Sequence, residues 1–167
     1  MGFQKISAKE IKGNLIKMIA DEWMLVTAGD SSGFNTMTAS WGMLGEMWAS
    51  DVAVTVIRPQ RYTFEFMEKN DYYTLCFFDE GFKKALAFCG AHSGRDCDKC
   101  KETGLTPVFE NGYTYFEQAK TVVVCRKVYV SDVDPAKLTD ASIGASVYPK
   151  KDYHRAYIGK IEKVLVK

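Results

Sequence analysis

Six short apolar stretches, linked mainly by turns rather than by regular crossover helices, set the fold class of this chain. Trp23 to Ala28 closes at Gly29-Asp30, and Asn35 to Trp41 follows the loop Ser31-Ser32-Gly33. Val52 to Ile57 stops at Arg58-Pro59, and Tyr72 to Phe78 is the fourth stretch. Ala119 to Val130 has a Val-rich middle, and Tyr157 to Val166 closes the chain. A parallel sheet needs crossover helices between its strands. This order therefore predicts an antiparallel sheet or barrel of six or seven strands: a mainly β fold with short α-helices.

Short helices are expected at Thr63 to Lys69 and Lys83 to Cys89, with a turn or short helix from Asp134-Pro135. Ser7-x-x-Glu10 is a capping box, followed by Ile11, Leu15, Met18 and Ile19 at helical spacing. Residues 90–112 are rich in Gly and charge and should be mostly loop, with a helical turn near Asp96 to Glu102. In Asn35 to Trp41, strict alternation places Met37, Ala39 and Trp41 on one face and Thr36, Thr38 and Ser40 on the other.

With 167 residues and no linker or repeat, residues 1–167 form a single domain. The formal net charge of +1 lacks the basic excess of a dedicated nucleic-acid binder. No apolar stretch approaches the roughly 20 residues needed to span a bilayer. The N-terminal residues do not have the form of a secretory signal. A cytoplasmic protein is expected, with neither a nucleic acid nor a membrane as partner. Five Cys is an odd number, so they cannot all pair within one chain. The Gly-x-Gly-x-x-Gly and Gly-x-x-x-x-Gly-Lys-Ser/Thr phosphate signatures are missing.

Four motifs could carry chemistry. Asn35-Thr36-Met37-Thr38-Ala39-Ser40-Trp41-Gly42 offers hydroxyls and backbone N–H groups to a planar polar ligand, or is simply the polar face of an edge strand. Arg58-Pro59-Gln60-Arg61-Tyr62-Thr63 brings two guanidiniums to a helix start, which suits a phosphate or carboxylate, or is a solvated turn. The segment Cys89 to Cys100 supports three readings. Ser93, Gly94, Arg95 and Lys99 could form an anion loop. Cys89, His92, Cys97 and Cys100 have zinc-ligand spacing, as in a zinc-dependent interaction module. Cys97 and Cys100 could be a dithiol switch or incidental thiols. Finally, Asp152-Tyr153-His154-Arg155-x-Tyr157-Ile158-Gly159 holds His154, whose ordinary pKa suits proton transfer or a structural hydrogen bond.

These motifs, with Gly104-Leu105-Thr106-Pro107 and in this order, resemble the flavin reductase family, the FMN-binding split-barrel proteins that include flavoredoxin-type members. The similarity runs from about Trp23 to about Ile161. It implies a six-stranded antiparallel split β-barrel, usually a homodimer, with FMN near the subunit interface. Carried over by position, Asn35, Thr36, Met37, Thr38 and Ser40 border the isoalloxazine and Trp41 packs nearby. Arg58, Arg61, Thr63, Ser93, Gly94, Arg95 and Lys99 hold the phosphate end. His154 lies near the reactive face as the catalytic candidate. The activity implied is that of an NAD(P)H:flavin reductase-like oxidoreductase. It would pass electrons from NADH or NADPH through FMN to a flavin or a protein acceptor. The alternative is a flavoredoxin-like electron carrier without its own nicotinamide reaction. The resemblance makes Ser93 to Asp96 a ligand loop and weighs against zinc.

Overall fold

Alternation of side chains along buried strands builds two apolar cores on opposite faces of one sheet. In the computed structural model, which describes residues 2–167, the strands are β1 (Gln4–Ile6), β2 (Met24–Asp30), β3 (Gly33–Ala39), β4 (Gly42–Met47), β5 (Ser50–Ile57), β6 (Tyr72–Phe77), β7 (Pro107–Glu110), β8 (Tyr113–Phe116), β9 (Thr121–Asp132) and β10 (Arg155–Val166). The helices are α1 (Leu15–Lys17), α2 (Tyr62–Lys69), α3 (Lys83–Ala91), α4 (Lys99–Thr103) and α5 (Ala141–Val147). The main sheet has eight strands in the order β3-β2-β6-β9-β10-β5-β4, with β1 also pairing β10, and β7 and β8 form a separate hairpin. Every pairing is antiparallel.

Met24, Val26 and Ala28 of β2, Tyr73, Leu75 and Phe77 of β6, and Val123 and Cys125 of β9 enter one core, which Met67 of α2 closes. The intervening residues Leu25, Cys76, Val122 and Val124 enter the other, with Leu86 and Cys89 of α3 and the β8 aromatics. Strands buried on both faces read as near-continuous apolar runs, which is why β2, β5, β6 and β9 are so plain in the sequence. β10 carries register shifts against β9 between Ile158 and Gly159 and between Ile161 and Lys163. At Gly159 an added Cβ would stand 2.8 Å from Cys125 Cβ and 2.6 Å from the Tyr73 hydroxyl, so the crossing of these strands requires glycine.

The strand count exceeds the expectation because four elements carry weak or overlooked signals. β1 has three residues and exists only through β10. β4 has two glycines and no β-branched or aromatic residue, so nothing marks it locally. β7 and β8 lie partly inside the segment expected to be loop. Their turn is Asn111-Gly112, both at positive φ (41° and 82°), a hairpin signal that was present in the sequence. The N-terminal helix is also shorter than its stripe suggests. The capping box at Ser7 and Glu10 forms but caps a single 3-10 turn (Ala8–Glu10). The chain then breaks at Gly13 (φ 111°), and α1 restarts only at Leu15 before a π-helical turn, Met18–Glu22. No helix among the described residues is long and apolar enough to cross a membrane.

Candidate functional site

Two adjoining cavities, of about 190 and 170 Å³, open beside the end of β3. Met37, Thr38, Ala39, Ser40, Trp41, Val56, Arg58, Arg61 and His154 line the first. The second shares Met37 and Arg61 and is otherwise walled by Asn35, Gln60, Tyr62, Thr63, residues 90–94 and Lys99. Residues of all four sequence motifs therefore line the same pair of cavities, although β3 stands at one edge of the strand order and β10 and β5 lie toward the other. Hollows of about 930 and 740 Å³ lie elsewhere, where Lys120 pairs with Glu22 at 3.0 Å and Lys83 lies over the Trp23 ring.

The aromatic end is built by Trp41 and His154. Trp41 follows β3, leaves the face of Met37 and Ala39, and is 48% exposed, with its ring 5.1 Å from the imidazole. His154 is buried, and its Nδ1 is 2.8 Å from the Tyr148 hydroxyl. Burial, reinforced by the Arg58 charge, drives the His154 pKa down to about 4, against the weaker pull of Asp152. The imidazole is thus neutral near pH 7, and it makes the hydrogen bond to Tyr148 that was the other reading of this residue.

The cationic end is built by Arg61 and Lys99. Lys99 is only 6% exposed, and its ammonium donates to the carbonyls of Thr36 and Cys89, each at 2.8 Å. An ammonium has three donors, so one is left over. Arg61 precedes α2 and makes no side-chain hydrogen bond or ion pair among the described residues. Burial lowers the pKa of both groups, and for Lys99 the nearby Arg61 adds to the effect. Two desolvated cations without a carboxylate partner form an environment that an anion would relieve. Gly94 completes this end: an added Cβ would collide with the Asn35 side chain, so only glycine lets the 90–94 loop approach β3 this closely.

Other expected contacts are engaged within the protein. The Thr36 hydroxyl is 2.8 Å from that of Thr27, and Thr38 donates to the Leu86 carbonyl of α3, so Ser40, on the wall of the first cavity, is the member of the hydroxyl row without a side-chain hydrogen bond among the described residues. Thr63 accepts from Asn35 Nδ2 at 2.8 Å. Arg58 lines the first cavity, but its guanidinium pairs with Asp152 at 2.6 Å and donates to the Val147 carbonyl at 3.0 Å. Arg95 pairs with Glu65 at the rim, 4.5 Å from the Tyr62 ring centroid. Ser93 accepts from the Arg95 backbone at 3.2 Å. Of the seven positions expected at the phosphate end, Arg61 and Lys99 are the cations left without an acidic partner.

The zinc alternative is overturned. Among the described residues no group of three or more His, Cys, Asp or Glu could hold a metal. His92 is exposed and stacks on Phe88 at 4.0 Å, while Cys89 is on the buried face of α3 with its thiol pushed up to about 11. Cys97 and Cys100 are half-buried free thiols. Tyr148 is the residue that sequence reasoning missed. It lies six positions before His154, outside any motif, and only the fold returns it to the imidazole.

No curated protein matches the chain. Among solved structures it is similar to an FMN-binding protein from Thermus thermophilus with bound p-hydroxybenzaldehyde (18% identity, TM-score 0.70, covering 98% of this chain and 82% of that one). It is also similar to flavoredoxin from Methanosarcina acetivorans (17%, 0.67, 96% and 76%). A third is an NADH:FAD oxidoreductase from Streptomyces globisporus C-1027 in complex with NAD and FAD fragments (14%, 0.65, 87% and 74%). These TM-scores establish the shared split-barrel fold. The model of the flavin reductase like domain matches residues 17–167, nearly the whole chain, and the protein belongs to that family.

Proposed function

We propose that the chain binds FMN across the two adjoining cavities and moves electrons from NADH or NADPH through it to a flavin or protein acceptor. The observation that carries this assignment is the joining of an aromatic end to a cationic end in one trough: Trp41 and His154 at one side, Lys99 at the other, and Arg61 bordering both cavities, with neither cation paired to an acid. An FMN molecule has that same polarity, an apolar ring system joined to a phosphate. A bound flavin supplies the hydride and electron chemistry itself. The chain's part is then to bind and orient. Met37 and Trp41 offer apolar contact to the ring, and Arg61, Lys99 and the start of α2 offer charge-assisted donors to the phosphate. His154, neutral near pH 7, contributes hydrogen bonding rather than charge at the ring end.

A homodimer belongs to the same proposal. Met43, Met47 and Trp48 of the β4 edge and Val128, Tyr129 and Val130 of β9 are all exposed, and Trp48 packs on Tyr129 at a centroid distance of 6.1 Å. An exposed apolar patch of this kind marks an interaction face. It begins beside Trp41, so a second copy seated on it would also cover the ring end of the trough.

The test is the absorption spectrum of the purified protein with FMN added to saturation, followed by anaerobic addition of NADH and of NADPH. A flavin spectrum that bleaches rapidly with either nucleotide is expected. A protein that takes up FMN but bleaches only with a protein donor is the electron carrier, in line with the flavoredoxin likeness. A colourless protein that takes up no FMN overturns the proposal.

A further inference from the structure

The wall of the first cavity holds a buried phenol–imidazole pair whose proton arrangement can be deduced. Tyr148 and His154 are both buried, and the phenol oxygen lies 2.8 Å from Nδ1. Neither atom has another hydrogen-bond partner among the described residues. Two arrangements share this geometry. In one the phenol donates to a bare Nδ1. In the other Nδ1–H donates to the phenol oxygen, which leaves the phenol proton buried without an acceptor. An unmade hydrogen bond in a buried site forfeits the solvation that the group had in water with nothing in return. The first arrangement satisfies both partners and places the imidazole proton on Nε2. Nε2 itself makes no hydrogen bond among the described residues and is not one of the sealed, unpartnered atoms, so it opens on the cavity that the ring lines.

The surrounding groups brace the pair. The Arg58 guanidinium, at the end of β5, lies 5.2 Å from the Tyr148 ring centroid and holds the strap after α5 at the Val147 carbonyl and Asp152. Tyr153 packs against Tyr148, with ring centroids 4.8 Å apart. The charged groups facing the imidazole are Arg58 and Asp152, with Arg61 on the same cavity wall.

We propose that Tyr148 is a positioning residue that fixes His154 in the neutral Nε2–H tautomer, so that the cavity offers its occupant a hydrogen-bond donor rather than a base or an imidazolium. The atom selected at that point is an acceptor. If the flavin assignment above holds, that acceptor is a polar atom on the rim of the ring. Arg58, expected from sequence to hold phosphate, is on this view the brace of the strap that carries Tyr148.

The chain has two histidines, so long-range proton–nitrogen NMR of protein labelled at histidine nitrogen reads the tautomers directly, with His92→Gln to assign the signals. Wild-type protein near pH 7 should show His154 with a protonated Nε2 and an acceptor Nδ1. Tyr148→Phe should add a population with the proton on Nδ1 and weaken FMN binding several-fold. A wild-type His154 protonated on Nδ1 overturns the proposal, and so does a folded Tyr148→Phe with an unchanged tautomer ratio. Wild-type protein that shows the Nε2–H form yet binds no FMN supports the tautomer assignment and sinks the flavin assignment alone.

Discussion

At the residue scale, what separates a ligand-binding cation from a structural one is whether it already has a partner. Arg58 and Arg95 are paired with Asp152 and Glu65, whereas Arg61 and Lys99 have no acid beside them. Arg61→Ala should therefore weaken FMN binding by about 1.5–3 kcal/mol, the range for a lost charge-assisted contact, and Arg95→Ala by much less. Riboflavin, which lacks the phosphate, should bind both variants like wild type, and fluorescence titration with the two ligands checks the difference. His154 carries a pH signature. Its folded pKa of about 4 lies below the ordinary 6.5, so the unfolded chain binds more protons between those values. The stabilising preference for the neutral ring is fully present above pH 6.5 and is lost as pH falls toward 4. Urea midpoints measured at pH 7 and pH 5 should fall less for His154→Gln than for wild type.

At the element scale, β10 is the strand on which the sheet turns. It pairs with β1, β5 and β9 and changes register at Gly159, where Tyr73 and Cys125 press on the backbone. Gly159→Ala forces a methyl group into that contact and should cost about 1–3 kcal/mol, the range for overpacking a core. Chemical denaturation of the variant checks this. Because β10 leads directly out of His154, the variant should also disturb the ring end of the trough, whereas Gly81→Ala, where nothing lies within 4 Å of an added Cβ, should leave both unaffected.

At the scale of the whole molecule, the exposed apolar face of β4 and β9 is the feature that a lone chain leaves unexplained. Trp48→Glu should convert a dimer to a monomer in sedimentation velocity. Because the same face adjoins Trp41, monomeric protein should hold FMN more weakly than the dimer. A wild-type protein that sediments as a monomer at tens of micromolar would remove the homodimer from the proposal.

The sequence by itself determined the antiparallel character, the positions of the buried strands and the motifs that converge on the trough. These are properties of local periodicity and turn chemistry: Val52 to Ile57 and Tyr72 to Phe78 are apolar on both faces wherever the chain is placed. Gly94 and Lys99 also stood out in the sequence, each inside a compact motif, and both line the second cavity. Tertiary structure alone decided which groups are free to act. Thr36 and Thr38 look like ligand donors until β2 and α3 take up their hydroxyls. Arg58 looks like a phosphate ligand until Asp152, 94 positions away, neutralises it. Tyr148 carries no signal at all until the strap folds it onto His154. Charge pairing, burial and the choice of hydrogen-bond partner act through space, and the periodicity of a chain records only which face a residue takes, not what meets it there.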